Sequence, residues 1–555
     1  MRLIASVLAT IVAIATVPCV AQQHIPQDDI GQVRKRFEAP DTPLSQPRAG
    51  FIQIQPGEEP TGAAEAGILV RAFSITGSSV YSKATLEAEL SDLTGRPITV
   101  ADLYVAVQRI TALYGNDGYV LSRAILPPQE LDEDGAHVNI TVIEGYVDRV
   151  RWPIHIESHR NVFNHYAESI TRDRPVNIKT IERYLLLAND LPGLELTSTL
   201  TPSPTQSGAA TLVVDAKSKP IDAVATIDNR GSEGRGPVQY VLQGTANNAF
   251  GLNESIGVTY ASVPDADELT YIALDAAAVL NGEGLRLAFS AYHSDGVPGL
   301  NDLQELRFAS NSQGVRAALS YPLIRTREEN LAVSGTLFAD DVSSDLLGAP
   351  NSRDHVRGIR AAVVYDRADE FAGVSLLSLT VSQGLDILGS SGNQNPLATR
   401  AHGQADFSKL EGTVSRLQGL PGGLSLLGSL EWQYAFDPLL SSEECTYGGL
   451  RIGRAFDPAY LTGDSCVAAL LEIRVEPSLL TGHGIQTQLY AFTDYGYVHR
   501  IAPAAGGDAS DNAASLGTGL RFRLPHGAEA SFEAARAIVG VDDGWRGFFS
   551  VTARY

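Results

Sequence analysis

The chain has 555 residues, 64 acidic against 42 basic side chains, a net charge of −22 and 44% hydrophobic residues. At roughly 100–200 residues per domain this suits three or four packed domains, and it excludes a chain that is mainly disordered. The acidic balance excludes a general nucleic-acid binder, which needs a basic face for phosphates, and three cysteines cannot build a disulfide scaffold.

Residues 1–21, MRLIASVLATIVAIATVPCVA, have a basic start at Arg2, a short apolar run from Leu3 to Val17 and small Ala21 before Gln22. That pattern predicts a cleaved secretory signal peptide, since a membrane span needs about 20 apolar residues. Residues 22–66 are poor in apolar side chains and contain several prolines; Asp28–Glu38 predicts one short helix and the rest an extended linker.

Residues 67–145 predict a compact α+β unit. Ile68–Ile75 is a strand and Lys83–Ser91 a helix. Thr99 caps a second helix, Val100–Tyr114, with Leu103, Val107, Ile110 and Leu113 on one face. Tyr119–Leu126 and His137–Ile143 follow as strands. Residues 146–218 repeat that order, with strand Val147–Ile156, helices Asn164–Ile170 and Ile178–Ala188, and strands Leu194–Thr201 and Ala210–Lys217.

From residue 219 to Tyr555 helical periodicity vanishes, and alternating segments are split by Gly, Asn, Asp and Pro. Leu424, Leu426, Leu430, Trp432 and Tyr434 oppose Ser425, Ser429, Glu431 and Gln433. Leu520, Phe522 and Leu524 oppose Arg521 and Arg523, and the last segment puts Phe549, Val551, Ala553 and Tyr555 on one face. A soluble sandwich also alternates. The export signal, the aromatic end and the contrast of short (Asn281–Gly284) with long (Asp437–Ser465) connections favour a transmembrane antiparallel β-barrel. A mean hydropathy of −0.02 is compatible with it, because lipid-facing and lumen-facing residues average out. The count is about 17 segments, or 16 if Ser310–Gly314 lies within one long strand, and an even number is the rule for single-chain bacterial barrels.

Several short matches occur in order: Phe73-Ser74-Ile75-Thr76-Gly77, Gly118-Tyr119, Ser122-Arg123-Ala124, Leu126-Pro127-Pro128-Gln129 and Val142-Ile143-Glu144-Gly145, then Asp228-Asn229-Arg230-Gly231-Ser232 and Tyr321-Pro322-Leu323-Ile324-Arg325. In these the chain resembles two-partner secretion transporters, the outer-membrane exporters of haemolysins and filamentous adhesins, from about residue 30 to the C-terminus. The resemblance implies a plug helix near Asp28–Glu38, a linker, two α+β POTRA repeats at 67–145 and 146–218, and a 16-stranded barrel at 219–555. It also implies that the long loop folds into the barrel with a V-R-G-Y/F motif and meets F-x-D-x-G on the wall. Here the first motif reads Gly453-Arg454-Ala455-Phe456, with Val and Gly replaced by Gly and Ala, and the second Phe492-Thr493-Asp494-Tyr495-Gly496.

Strand parity supports the wall motif independently. Phe492, Asp494 and Gly496 share a face with Gln486 and Gln488, while Ile485, Leu489, Tyr495 and Tyr497 share the lipid-like one. Asp494 is therefore expected to pair with Arg454 in the lumen; on the residues alone Arg454 also fits a solvated loop. The same parity puts Glu472, Arg474, Arg521 and Arg523 on the lumen face. Cys445 and Cys466 bracket the loop and, in an oxidising compartment, are expected to pair.

No H-E-x-x-H, P-loop or G-x-S-x-G motif occurs, so no enzyme, metal or cofactor is expected. The expected function is export of a large unfolded β-rich partner through the outer membrane without nucleotide. The POTRA units would stand in the periplasm and take the partner's N-terminal secretion domain by strand addition. The other expected partners are the lipid bilayer and the barrel assembly machinery, the latter through the C-terminal strand ending in Tyr555. The rival reading is a barrel assembly factor of the same superfamily.

Overall fold

The computed structural model describes residues 30–38, 40–46, 67–131, 135–203, 206–477, 484–501, 509–540 and 544–555. The expected signal peptide, the first residues of the expected plug helix and most of the linker lie outside them. No helix among the described residues is long and apolar enough to cross a membrane; the crossing is made by strands.

The first α+β unit is a four-stranded sheet backed by helices. Strand Gly67–Thr76 lies centrally, parallel to Ala136–Ile143 and antiparallel to the short edge strand Pro97–Thr99, and Arg123–Ile125 forms the other edge. Thr99 caps helix Val100–Asn116 in a reciprocal box: Asp102 N donates to its hydroxyl at 3.2 Å, and Thr99 N donates to the Asp102 carboxylate at 2.8 Å. Leu103 and Ile110 of the expected apolar face are buried against the sheet, as are Ala106 and Tyr114. The expected strand Tyr119–Leu126 shrinks to Arg123–Ile125. Gly118 turns left-handed at φ +92, and Tyr119 N and Ser122 N donate to Tyr114 O and Tyr119 O, so the first half of the segment is a turn.

The second unit repeats the plan. Strand Tyr146–Arg151 runs parallel to Ala209–Ser218, which pairs antiparallel with Leu194–Pro202, under helices Arg160–Arg172 and Ile178–Asn189. The first strand stops short of the expected Ile156, because Pro153 has no N–H to continue the ladder.

The remainder is a closed barrel of 16 antiparallel strands, from Ile221–Asp228 to Trp545–Arg554. Ser310–Gly314 does lie inside one long strand, Ala309–Arg325, while the preceding Asn301–Glu305 is helical. Outward positions carry exposed apolar side chains such as Leu274, Phe289, Leu337 and Phe532; inward positions bury Asp340, Lys409, Glu472 and Glu533. In water that division would be costly, and in a bilayer it is the stable one.

The second unit is bolted to the short turns at one end of the barrel. Glu283, in the turn between two strands, receives Arg183 Nη2 at 3.1 Å and the Tyr184 hydroxyl at 2.9 Å, with His165 Nε2 at 2.9 Å. Asp190 takes Arg325 in a bidentate pair, both bonds 2.7 Å. Burial opposes ionisation of Glu283, but the hydrogen bonds from His165, Tyr184 and Arg183 outweigh it and hold its carboxyl below the usual range. A carboxylate depressed in this way contributes fully above its ordinary pKa, and the contribution is lost only as the pH falls through the lowered value. Acidification from about pH 7 to 5 should therefore leave spin-label distances between the second unit and the barrel unchanged, since ordinary carboxylates titrate near about 4. Glu283→Gln should broaden those distances at neutral pH.

Candidate functional site: the lumen and its inward loop

Among the described residues, two pieces of the chain occupy the lumen. The first is a helical turn at Ile30–Gln32 running into helix Val33–Phe37. It lies within the expected Asp28–Glu38, whose first two residues fall outside the described ones. Val33 packs on Tyr271 and Tyr292, and the Phe37 ring lies 4.9 Å from that of Tyr271. Residues 40–46 then run extended along the wall: Asp41 accepts from Ser378 at 2.8 Å, and Gln46 N donates to Arg327 O at 2.8 Å, in a turn at the end where the second unit docks. A polar cavity of about 640 Å³, lined among others by Glu38, Asp41, Gln243, Arg286 and Arg360, is left beside it.

The second piece is the long connection between strands Leu424–Ala435 and Ser465–Val475. It forms a small hairpin, Cys445–Tyr447 with Leu461–Gly463, whose tip reaches inward. Cys445 and Cys466 are joined by a disulfide with Cα atoms 6.4 Å apart, tying the hairpin to the barrel strand. For a closed loop of 21 residues such a link is worth about 3 kcal/mol. Thiol labelling of the folded chain is expected only after reduction, and reduction should speed proteolysis of the loop several-fold.

The tip turns at Gly453, where φ is +78 and an added Cβ would lie 2.6 Å from Gly448 N. No positive φ falls on Ala455. The glycine of Gly453-Arg454-Ala455-Phe456 therefore stands where this loop needs a left-handed residue, one place before the arginine, and Ala455 needs none. Phe456 is buried and stacks on Tyr460 at 4.3 Å.

The expected Arg454–Asp494 ion pair is not the contact that forms. The Arg454 guanidinium goes to Glu472 at 2.6 Å and Glu533 at 3.4 Å, and lies 4.3 Å over the Phe492 ring. Asp494 instead accepts from the Tyr447 hydroxyl at 2.7 Å, Ser515 at 2.6 Å and the Arg454 backbone N–H at 3.3 Å. The physical reason is reach: the Arg454 backbone lies against Asp494, so its long side chain extends past to the next carboxylates. Gly496 is required by Tyr447, whose ring would lie 2.2 Å from any Cβ there.

Glu472 is the hub. Fully buried, it takes Arg454, Arg474 at 2.7 Å and Arg521 at 2.8 and 3.1 Å. Arg523 stands apart, on a smaller lumen recess of about 210 Å³ with Glu529 and Gln488. Glu533, Tyr447, Arg230 and Ser515 belong to the cluster and were not picked out from the sequence. Inward parity of Glu533 and the position of Arg230 in the Asp228–Ser232 match were the available signals. Among the described residues, no group of three or more His, Cys, Asp or Glu is placed to hold a metal.

A family model for haemolysin secretion/activation proteins of the ShlB/FhaC/HecB type matches residues 208–522, and one for ShlB-type POTRA domains matches residues 68–145. The chain is similar to the heme/hemopexin transporter protein HuxB of Haemophilus influenzae, 20% identical over 460 residues, which cover 80% of this chain and 79% of that protein. It is 22% identical to the outer membrane transporter CdiB of Dickeya dadantii over 374 residues, 63% of this chain and 62% of that one. Its fold is like that of CdiB from Escherichia coli, with a TM-score of 0.72 at 19% identity over 95% of both chains. It is also like that of BamA from Haemophilus ducreyi lacking POTRA domains 1–3, with a TM-score of 0.51 at 14% identity over 88% of this chain and 100% of that chain.

Proposed function

Because the chain belongs to the ShlB/FhaC/HecB family of haemolysin secretion/activation proteins, and so is an outer-membrane transporter that exports a large partner exoprotein, we propose how its parts divide that work. The POTRA units stand in the periplasm and meet the partner first. The outer edge of strand Leu194–Pro202, paired on one side only among the described residues, is the surface on which the partner's N-terminal secretion domain adds a strand. The partner then passes unfolded through the lumen, and its folding outside gives direction without nucleotide.

One observation carries this reading: a barrel with a polar lumen is filled by the chain's own plug helix and inward loop, both held by side chains that can let go. The Arg454–Glu472 contact, with Phe492, Asp494 and Gly496 around it, anchors the loop in the position from which transport starts. Tyr555, 78% exposed at the end of the last strand, is the mark read by the barrel assembly machinery. Deleting the gene and comparing secreted proteins with the outer-membrane profile tests the reading. Loss of one large secreted polypeptide is expected; loss of many barrels would overturn it in favour of an assembly factor.

A further inference from the structure

The barrel closes where its last strand meets its first, and this seam is the shortest register in the ring. Ser550–Arg554 pair with Val224–Asp228, and Tyr555 exchanges backbone hydrogen bonds of 2.8 and 3.2 Å with Ala223. Above Asp228 the first strand turns away. Asn229 takes over: its backbone N donates to Phe549 O at 3.3 Å, its side-chain Nδ2 donates to Gly547 O at 2.9 Å and its Oδ1 accepts from Phe549 N at 2.7 Å. Trp545 and Arg546 lie beyond the first strand's register.

The tip of the inward loop lies across that opening. Asp457 bonds to both sides of it: Oδ1 accepts from Arg546 Nη2 at 2.5 Å on the last strand, and Oδ2 accepts from Glu233 N at 3.0 Å, just past the end of the first. Arg546 Nη1 also donates to Ala455 O at 3.0 Å. Arg230 donates to Arg454 O at 2.9 Å, pairs with Glu533 at 2.5 Å and covers the Phe548 ring at 3.7 Å. The loop tip therefore supplies, through side chains and turn carbonyls, the cross-links that the backbone ladder lacks at this end.

We propose that the tip of the inward loop is the clasp of the barrel's closing seam, with Asp457, Arg546 and Arg230 as its positioning residues. When the loop withdraws, the upper seam loses its cross-links, and the pairing of Val224–Asp228 with Ser550–Arg554 frays from that end. The inference rests on the loop docking seen here and stands or falls separately from the identity of the exported partner.

Hydrogen exchange on the full-length chain in lipid nanodiscs tests it. Asp457→Ala and Arg546→Gln should each speed exchange of the seam amides about tenfold. The pairing of Leu287–Leu319 to Ala291–Val315, on a wall that carries neither the root of the loop nor its Glu472 anchor, should stay as slow as before. The swap Asp457→Arg with Arg546→Asp should restore slow exchange at the seam. As an arm independent of these variants' stability, cysteines at Ala225 and Ala553, register partners in the seam, should cross-link less completely when Arg230→Ala is added in intact cells. Seam exchange and cross-linking unaffected by any of these changes, or exchange raised equally at the control pair, would overturn the proposal.

Discussion

Glu472→Gln is expected to abolish export while the barrel still inserts. Three guanidiniums converge on this one fully buried carboxylate, and all the bonds are 2.6–3.1 Å. Removing its charge leaves Arg454, Arg474 and Arg521 with mutual repulsion in a closed space. Breaking a buried pair of this kind costs about 3–5 kcal/mol. Charged to loop docking alone, that shifts the docked population by about 150- to 4,000-fold. Secreted partner should fall below about a tenth of its normal level, and the loop should become open to protease added outside the cell. Asp494→Asn is expected to act much more mildly, because Asp494 only accepts hydrogen bonds from Tyr447, Ser515 and the Arg454 backbone, and an amide oxygen can keep part of that set. A ranking with Asp494 more sensitive than Glu472 would show that the hub is misassigned.

Gly31→Leu should open the channel. The plug turn meets the long loop at this glycine: a Cβ there would sit 2.7 Å from the Ser442 Cα, a backbone atom that cannot swing aside. The contact is sealed by Gln32, whose side-chain amide donates to Ser441 O at 2.5 Å, and by Lys35, which donates to Glu444 O at 2.7 Å. A leucine forces the two pieces apart and breaks both bonds, worth about 1–3 kcal/mol each in a buried setting. In planar bilayers the purified variant should spend most of its time conducting where the parent is mostly closed. Gly31→Ala should fall between. Unchanged conductance in Gly31→Leu would mean that the plug is held by its Tyr271 and Tyr292 contacts alone.

The barrel was legible in the sequence because parity is a local property: each strand writes its two faces in alternate residues, and no distant information is needed. Parity also placed Glu472, Arg521 and Asp494 correctly inward. What it could not place was the loop. Where Arg454 ends up depends on a turn at Gly453 and on a hairpin clamped by Cys445, Tyr447 and Cys466, so its choice of Glu472 over Asp494 is a tertiary fact. The same limit explains the α+β units. Helix Val100–Asn116, with its capping box and periodic face, came through at almost full length, whereas Tyr119–Leu126 alternates like a strand but is broken by a turn that Gly118 starts. Asp457 and Arg546 show no pattern along the chain, and Arg230 is marked only by its place in the Asp228–Ser232 match; their meaning comes from meeting at the seam.

That seam also fixes a time order. Thr226 and Thr552 share a hydrogen bond although 326 residues separate them, so the ring cannot close until the final ten residues have arrived. Closure is the strand pairing of greatest sequence separation in the barrel, and contacts of that kind form late. Until then the molecule carries two bare strand edges, each a template for pairing with the wrong chain. A chain truncated only at its last strand would therefore be an aggregation hazard rather than a slightly smaller pore, and newborn copies need an escort for as long as their two ends are apart.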